Sequence, residues 1–271
     1  MNSLSVIISI YKNDTLPQIT EMLESLYNQS YQKFDIFIQL DGNVPQDIEN
    51  YLDNEVNMKR IEYLGKRDIN KGLAYSLNEL LEIVLKRGYI YIFRMDADDI
   101  CNQKRIELQY NFMENNLDFD ICGGAIEEFN TDTHEKQYIK YPLLHDDILQ
   151  GMKKRNSMAH VSVCFRNSFF TNLGFYDSSK KNEDYELWIG ALLAGKRFAN
   201  IDKALVYVRT NNAFYDRRRD FKRAYEVMSL KFYATKKFGF GMSGYFYAIA
   251  HFILFMMPGL IKRFIYKKLR E

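Results

Sequence analysis

Short apolar runs rich in β-branched residues alternate with amphipathic helical stretches through the first hundred residues, and this rhythm constrains the fold more than any other feature. Residues 4–11 read as a buried strand. Pro17 then opens a helix that lines up Ile19, Met22, Leu23 and Leu26 on one face. A second strand, 34–40, ends at Asp41-Gly42-Asn43, and a weaker third covers 60–64. Leu77, Leu80, Leu81, Val84 and Leu85 follow helical spacing until Gly88 stops them. A fourth strand, 89–95, runs directly into Asp96-Ala97-Asp98-Asp99. Strands interleaved with amphipathic helices imply an α/β fold whose mostly parallel sheet is covered on both faces. Such sheets bind ligands at the carboxyl ends of their strands. Asp41 and the acidic cluster both fall there.

The stretch of about 100–215 mixes shorter elements. The pattern predicts a helix over 102–115, a strand turning sharply at 121–124, a strand over 160–166, and a helix over 183–194 capped by Asn182 and closed by Gly195. No internal repeat and no linker rich in Gly, Ser or Pro is present.

The last 55 residues change character. They hold 13 Lys+Arg against 3 Asp+Glu, in a chain whose net charge is only +2. A basic helix is expected over 217–237, followed by an almost wholly apolar stretch over 245–260 and a cationic end with Lys262, Arg263, Lys267, Lys268 and Arg270. The apolar stretch contains His251 and is broken by Pro258, whereas a spanning helix needs about 20 apolar residues. An interfacial helix on an anionic membrane surface fits it better. The expected organisation is a domain of 1–215 followed by a helical, membrane-associating tail of 216–271.

Other features narrow the function class. The near-neutral net charge makes no case for a nucleic-acid partner, and the composition excludes a disordered or low-complexity chain. Cys101, Cys122 and Cys164 are far apart and form no CxxC pair, which suits a reducing cytoplasm. The first residues lack the cationic start and small-residue cleavage site of a signal peptide. Walker, GxGxxG, HExxH and GxSxG motifs are absent.

The acidic cluster carries the strongest chemical signal. Three carboxylates within four residues repel one another unless a cation or hydrogen-bond donors compensate them. Their all-oxygen character favours Mg²⁺ or Mn²⁺ over zinc. Glu183-Asp184 at a helix start either complements the helix dipole or does chemistry. Trp188, one turn on, either stacks on a sugar or packs in the core. His160 is a metal ligand, a phosphate partner or a satisfied interior histidine. Arg209 and the run Arg217-Arg218-Arg219 either meet phosphates or, for the run, face lipid.

The order SVIISIYKND, an Asp-Gly strand end, INKGLAYSLNELL, FRMDADDI, HVSVCFR and EDYELW resembles the inverting glycosyltransferase family 2, over about residues 4–215. Within it the chain is most similar to bacterial enzymes of O-antigen, capsule and exopolysaccharide assembly, and MPGLIKRFIYKKLR is similar to the ends of that subgroup. The resemblance implies a GT-A fold, a Rossmann-like nucleotide-binding mixed sheet flanked by helices, and a UDP-sugar donor. It implies that Ser9, Tyr11 and Asp14 contact base and ribose, that Asp41 reads the uracil, and that Asp96 faces the ribose while Asp98, with Asp96, holds the metal. It also implies that Asp184 is the catalytic base; Glu183, Trp188, His160 and Arg209 are the candidates for contact with acceptor or diphosphate. His160 is followed by Val161 where relatives often have proline, and Leu40 stands where many have a second acid. The absence of QxxRW argues for adding a single sugar.

The expected reaction is β-linked transfer of a hexose, galactose or glucose, from a UDP-sugar to a lipid-diphosphate-linked sugar such as N-acetylglucosamine-diphosphoundecaprenol. It would take place at the cytoplasmic face of the bacterial inner membrane, with the protein peripheral to that membrane. Two alternatives stand beside it: the same fold using GDP-mannose or another sugar nucleotide, and an inactive nucleotide-binding scaffold.

Overall fold

The computed structural model describes residues 3–180, 182–211 and 221–257. The expected alternation is present: β1 (Leu4–Tyr11), α1 (Leu16–Tyr27), β2 (Phe34–Asp41), α2 (Gln46–Asn57), β3 (Tyr63–Gly65), α3 (Leu73–Lys86) and β4 (Tyr91–Asp96). There follow β5 (Ile100–Cys101), α4 (Arg105–Asn115), β6 (Ile121–Asn130), β7 (Lys136–Ile139), α5 (His145–Met152) and β8 (Cys164–Arg166). The described chain ends with α6 (Glu183–Leu193), β9 (Phe198–Thr210), α7 (Phe221–Phe238) and α8 (Gly241–Met256).

The nine strands among the described residues form one sheet, in the order β3-β2-β1-β4-β8-β6-β9-β5, with β7 beside β6. The first four are mutually parallel. β8 is antiparallel to both β4 and β6, so it sits as a reversed strand between two parallel groups. The sheet is therefore mixed, as the GT-A resemblance implies.

Strand alternation assigns each residue to a face. Val6, Ile8 and Ile10 of β1, Ile36, Ile38 and Leu40 of β2, and Phe93 and Met95 of β4 join one core with α1, α2 and α4. The alternate residues Ile7, Phe37 and Ile92 join a second core with α3, α5 and α6. Ser9, Gln39, Asp41, Arg94 and Asp96 share the parity of this second set, so all point to the α3/α6 face at the carboxyl ends of three adjacent strands. This pleat builds the site.

Where β4 and β8 meet, two buried polar residues one turn apart on α4 hold the backbone. Arg105 donates to the carbonyls of Arg94 (2.7 Å) and Val163 (3.3 Å). Gln109 donates to the carbonyls of Cys122 (2.6 Å) and Ser162 (2.9 Å). Buried groups of this kind are retained only when satisfied, and here they brace the strand that delivers Asp96.

Several expectations change. Gly123-Gly124 does not end its strand; β6 continues to Asn130. The glycines admit close neighbours instead, because a Cβ at Gly123 would lie 2.5 Å from Asn200 Oδ1 and one at Gly124 2.4 Å from a Leu205 methyl. The strand expected over 160–166 begins as a 3₁₀ turn, His160–Ser162. The expected basic helix is described from Phe221, so Arg217-Arg218-Arg219 lie outside the described residues, as do Pro258 and the cations after it.

α7 and α8 pack together, with Phe221 against Phe252, Phe232 against Tyr245 and Gly244 against Thr235. α8 leaves Met242, Phe246, Ile249 and Ile253 exposed along one stripe. No helix among the described residues is long and apolar enough to cross a membrane.

Candidate active site

Parallel pairing sets Tyr11 beside Asp41, and Ser9 between Gln39 and Asp96. Asp14 folds back from the next turn, and its Oδ2 accepts from the Tyr11 amide at 2.8 Å. The expected first-strand contacts thus lie next to the two acidic strand ends.

Asp41 is held from several sides. Its two carboxylate oxygens accept from the backbone N–H groups of Lys71 (2.7 Å) and Gly72 (2.9 Å), and Arg67 forms an ion pair with it. Arg67 also reaches Glu79 and Ser76. The turn depends on Gly42, whose φ of +83° favours glycine and whose added Cβ would lie 2.8 Å from Asn70 N. Asp41 therefore presents an orientation fixed by the start of α3.

Asp96 is gripped bidentately by Arg94, with Nη1 to Oδ2 at 2.6 Å. Arg94 is buried at 3% exposure. Its charge also acts on Asp98, Asp99, Glu183, Asp184, Tyr176 and His160. It is the cation common to both halves of the site, and the sequence reading missed it. The signal was an arginine inside an apolar strand, two residues before an acid and so on the same face.

The remaining acids are under mutual strain. Burial, with repulsion from Asp98 and Asp96, pushes the Asp14 carboxyl up to about 7. Burial, then Asp96, raises Asp98; burial, Asp96 and Asp98 raise Asp99 strongly. Arg209 relieves part of this: its amide donates to Asp99 Oδ1 (2.8 Å), its Nε donates to the Asp98 carbonyl (2.9 Å), and its guanidinium pairs with Glu21. Arg209 thus clamps the acidic turn.

Among the described residues no three His, Cys, Asp or Glu side chains assemble into a metal cage. The donor set is nonetheless hard oxygen, crowded and under-compensated. Such a set fits a divalent ion that takes only one or two protein carboxylates.

Glu183 and Asp184 open α6, where the dipole favours acids. Asp184 Oδ2 accepts from Asn156 Nδ2 at 2.8 Å. Burial raises both carboxyls, while Arg94 and Arg223 of α7 pull them down. Asn182 does not cap the helix with its side chain; its Oδ1 accepts from Arg223 Nε at 3.1 Å. A cavity of about 360 Å³ opens beside it, lined by Asn182, Glu186, Tyr225, Glu226, Ser229 and others.

Trp188 is corrected. It is fully buried against Phe165, Phe169, Phe198 and His160, so its ring packs in the core and does not meet a sugar. His160 takes the interior-histidine role: its Nε2 lies 2.8 Å from Tyr176 Oη, and burial and then Arg94 hold its pKa well below the usual value, keeping it neutral. Asn156, Tyr176, Arg67 and Arg223 carried no signal in the sequence, because only the folded chain brings them to the site.

The profile of Glycosyl transferase family 2 matches residues 5–172, and that of Glycosyl transferase family group 2 matches residues 91–267. An uncharacterized glycosyltransferase of Haemophilus influenzae is 33% identical over 98% of this chain and 97% of its own length. The amylovoran biosynthesis glycosyltransferase AmsE of Erwinia amylovora is 30% identical over 98% and 99%. A UDP-Gal:alpha-D-GlcNAc-diphosphoundecaprenol beta-1,3-galactosyltransferase of Escherichia coli is 25% identical over 97% and 95%.

In fold the chain resembles S. aureus TarS 1–349 in complex with UDP-GlcNAc, with TM-score 0.60, 17% identity and coverage of 95% and 82%. It also resembles the mannosyltransferase PcManGT of Pyrobaculum calidifontis in complex with GDP-Man and Mn²⁺, with TM-score 0.64, 11% identity and coverage of 99% and 80%. The mixed sheet with its acidic strand ends is thus a GT-A fold, and the chain belongs to glycosyltransferase family 2.

Proposed function

We propose that this glycosyltransferase acts in bacterial polysaccharide assembly, moving one hexose, galactose or glucose, from a UDP-sugar to a sugar carried on a lipid diphosphate, with inversion to a β linkage. The observation that carries it is the pairing of an acidic strand-end cluster, Asp14, Asp96, Asp98 and Asp99, with a separate carboxylate, Asp184, at the start of α6. The Escherichia coli relative's name supports the donor and acceptor classes, and AmsE supports the polysaccharide setting.

In this reading Asp41, Tyr11, Ser9 and Asp14 bind base and ribose, with Asp96 oriented toward the ribose by Arg94. Asp98, with Asp96, would hold a divalent ion, Mn²⁺ or Mg²⁺, whose charge would offset that of the diphosphate leaving group. Asp184 accepts the proton of the acceptor hydroxyl as its oxygen bonds to the anomeric carbon. The bond from that carbon to the diphosphate breaks with its electron pair leaving on UDP, so one in-line displacement inverts the centre. Burial raises Asp184, which moves its basicity toward that of a useful general base.

The stripe Met242, Phe246, Ile249 and Ile253, on the same hairpin as the exposed Lys222, Lys236 and Lys237, suits an anionic lipid surface where such an acceptor is presented. A second reading, GDP-mannose as donor, is favoured by the likeness to PcManGT.

The test is to incubate the protein with Mn²⁺, a synthetic N-acetylglucosamine-diphospho-lipid, and a panel of UDP- and GDP-sugars, reading product mass. A hexose-sized increase with a UDP donor is expected. An increase only with GDP-mannose selects the second reading. No product with any donor, on this acceptor or a longer lipid-linked oligosaccharide, overturns both.

A further inference from the structure

We propose that α7, although it belongs to the basic C-terminal region, is part of the catalytic apparatus, with Arg223 as a positioning residue for the carboxylates that open α6. The proposal rests on the reading of Asp184 as the base.

The anchor is Lys231. Its side chain is buried at 3% exposure, where an unpaired ammonium would be costly. Its Nζ donates to the carbonyls of Lys153 and Lys154, each at 3.2 Å, and to that of Met152 at 3.5 Å. These are the carbonyls at the end of α5, the end that attracts a cation. The hydroxyl of Tyr185 donates to the same Met152 carbonyl at 2.6 Å, and the Lys231 ammonium lies 5.2 Å from the Tyr185 ring. One backbone oxygen therefore ties α5, α6 and α7 together, and Ala224, Val227 and Ala234 fill the apolar part of the α7 contact.

About two turns before Lys231, Arg223 meets the start of α6. Its Nε donates to Asn182 Oδ1, an oxygen that in this position would ordinarily cap the helix. Its charge acts on both Glu183 and Asp184. Both acids therefore feel the charge of Arg94 from β4 and of Arg223 from α7. Burial raises both carboxyls; backbone N–H groups at the helix start, Arg94 and Arg223 each pull them part of the way back. The other groups facing Asp184 are Asn156, Tyr176, Tyr185 and Glu183.

The experiment uses the full chain in detergent micelles with a short-chain acceptor, so that recruitment to a membrane plays no part. Arg223→Gln is expected to lower kcat roughly 10–100-fold, to shift the acidic limb of the kcat–pH profile upward, and to leave the thermal shift given by UDP with Mn²⁺ unchanged. Arg223→Lys is expected to recover most of the loss. Lys231→Met is expected to reproduce the pattern more weakly.

A kcat for Arg223→Gln within twofold of wild type overturns the proposal. So does an unmoved acidic limb, an equal loss of the UDP shift, or an Arg223→Lys protein no better than Arg223→Gln. Transfer by an Asp184→Asn protein would remove the base assignment on its own, whatever Arg223→Gln does.

Discussion

The two ends of the site are built differently. At the nucleotide end, Ser9, Tyr11, Asp41 and Asp96 stand on adjacent parallel strands whose ladder fixes their spacing, and Asp41 is further fixed by backbone N–H groups at the start of α3. At the acceptor end, Asp184 depends on Asn156 from a loop, Arg94 from the sheet and Arg223 from α7, groups brought together by tertiary packing alone. Strand registry gives the first end its precision. The second gains adjustability, because a helix start held by side chains can change partners without disturbing a sheet.

The largest expected effect separates the ends by chemistry. Asp184→Asn should lower kcat on the order of 10³-fold while the thermal shift with UDP persists. Equal loss of both would mean that the ends are one unit. Asp98→Asn should lower divalent-stimulated transfer by about 10²-fold, read as turnover against Mn²⁺ concentration; unchanged metal response would take Asp98 out of that role.

Next comes the surface stripe. Serine at Met242, Phe246, Ile249 and Ile253 together should weaken binding to anionic vesicles on the order of 100-fold, with turnover of a short-chain acceptor in micelles kept. A smaller change, Gly42→Ala, should cost about 1–3 kcal/mol through its positive φ and loosen UDP binding more than it lowers kcat. The reverse ratio would break the picture of a backbone-fixed nucleotide end.

A different kind of test, pH dependence, concerns Asp14. Its folded pKa of about 7 lies above the unfolded value of 3.8, so the folded state holds the proton longer. Stability of the metal-free protein should therefore fall as pH rises from about 4 through 7. Asp14→Asn should flatten this slope in thermal melts from pH 5 to 8.

The same contrast explains what was legible in the sequence. Period-two alternation ending in Asp41 or Asp96 marks a strand whose carboxyl end carries chemistry, and β1, β2 and β4 follow it closely. α2 escaped notice because QDIENYLDNEVN is polar nearly throughout, with Ile48 and Leu52 its buried apolar residues. β9 was hidden because its middle residues, Asp202 and Lys203, are exposed where the ladder with β6 shifts register. The two readings of Trp188 could not be separated in the sequence because EDYELWIGALL is apolar on several faces; the structure buries the ring in the core. Arg223 had no separate signal within the basic helix, because sequence gives no sign that α7 folds back onto α6.

That buried indole has a practical consequence. Trp188 is the chain's single tryptophan, and among the described residues its Nε1 has no hydrogen-bond partner. It touches the ring of His160, which is joined to Tyr176, and it rides on the helix that carries Asp184. Its emission should be blue-shifted and should report from one place, so shifts in wavelength or quenching on titration with UDP and then acceptor would follow the repacking of α6 without an attached label.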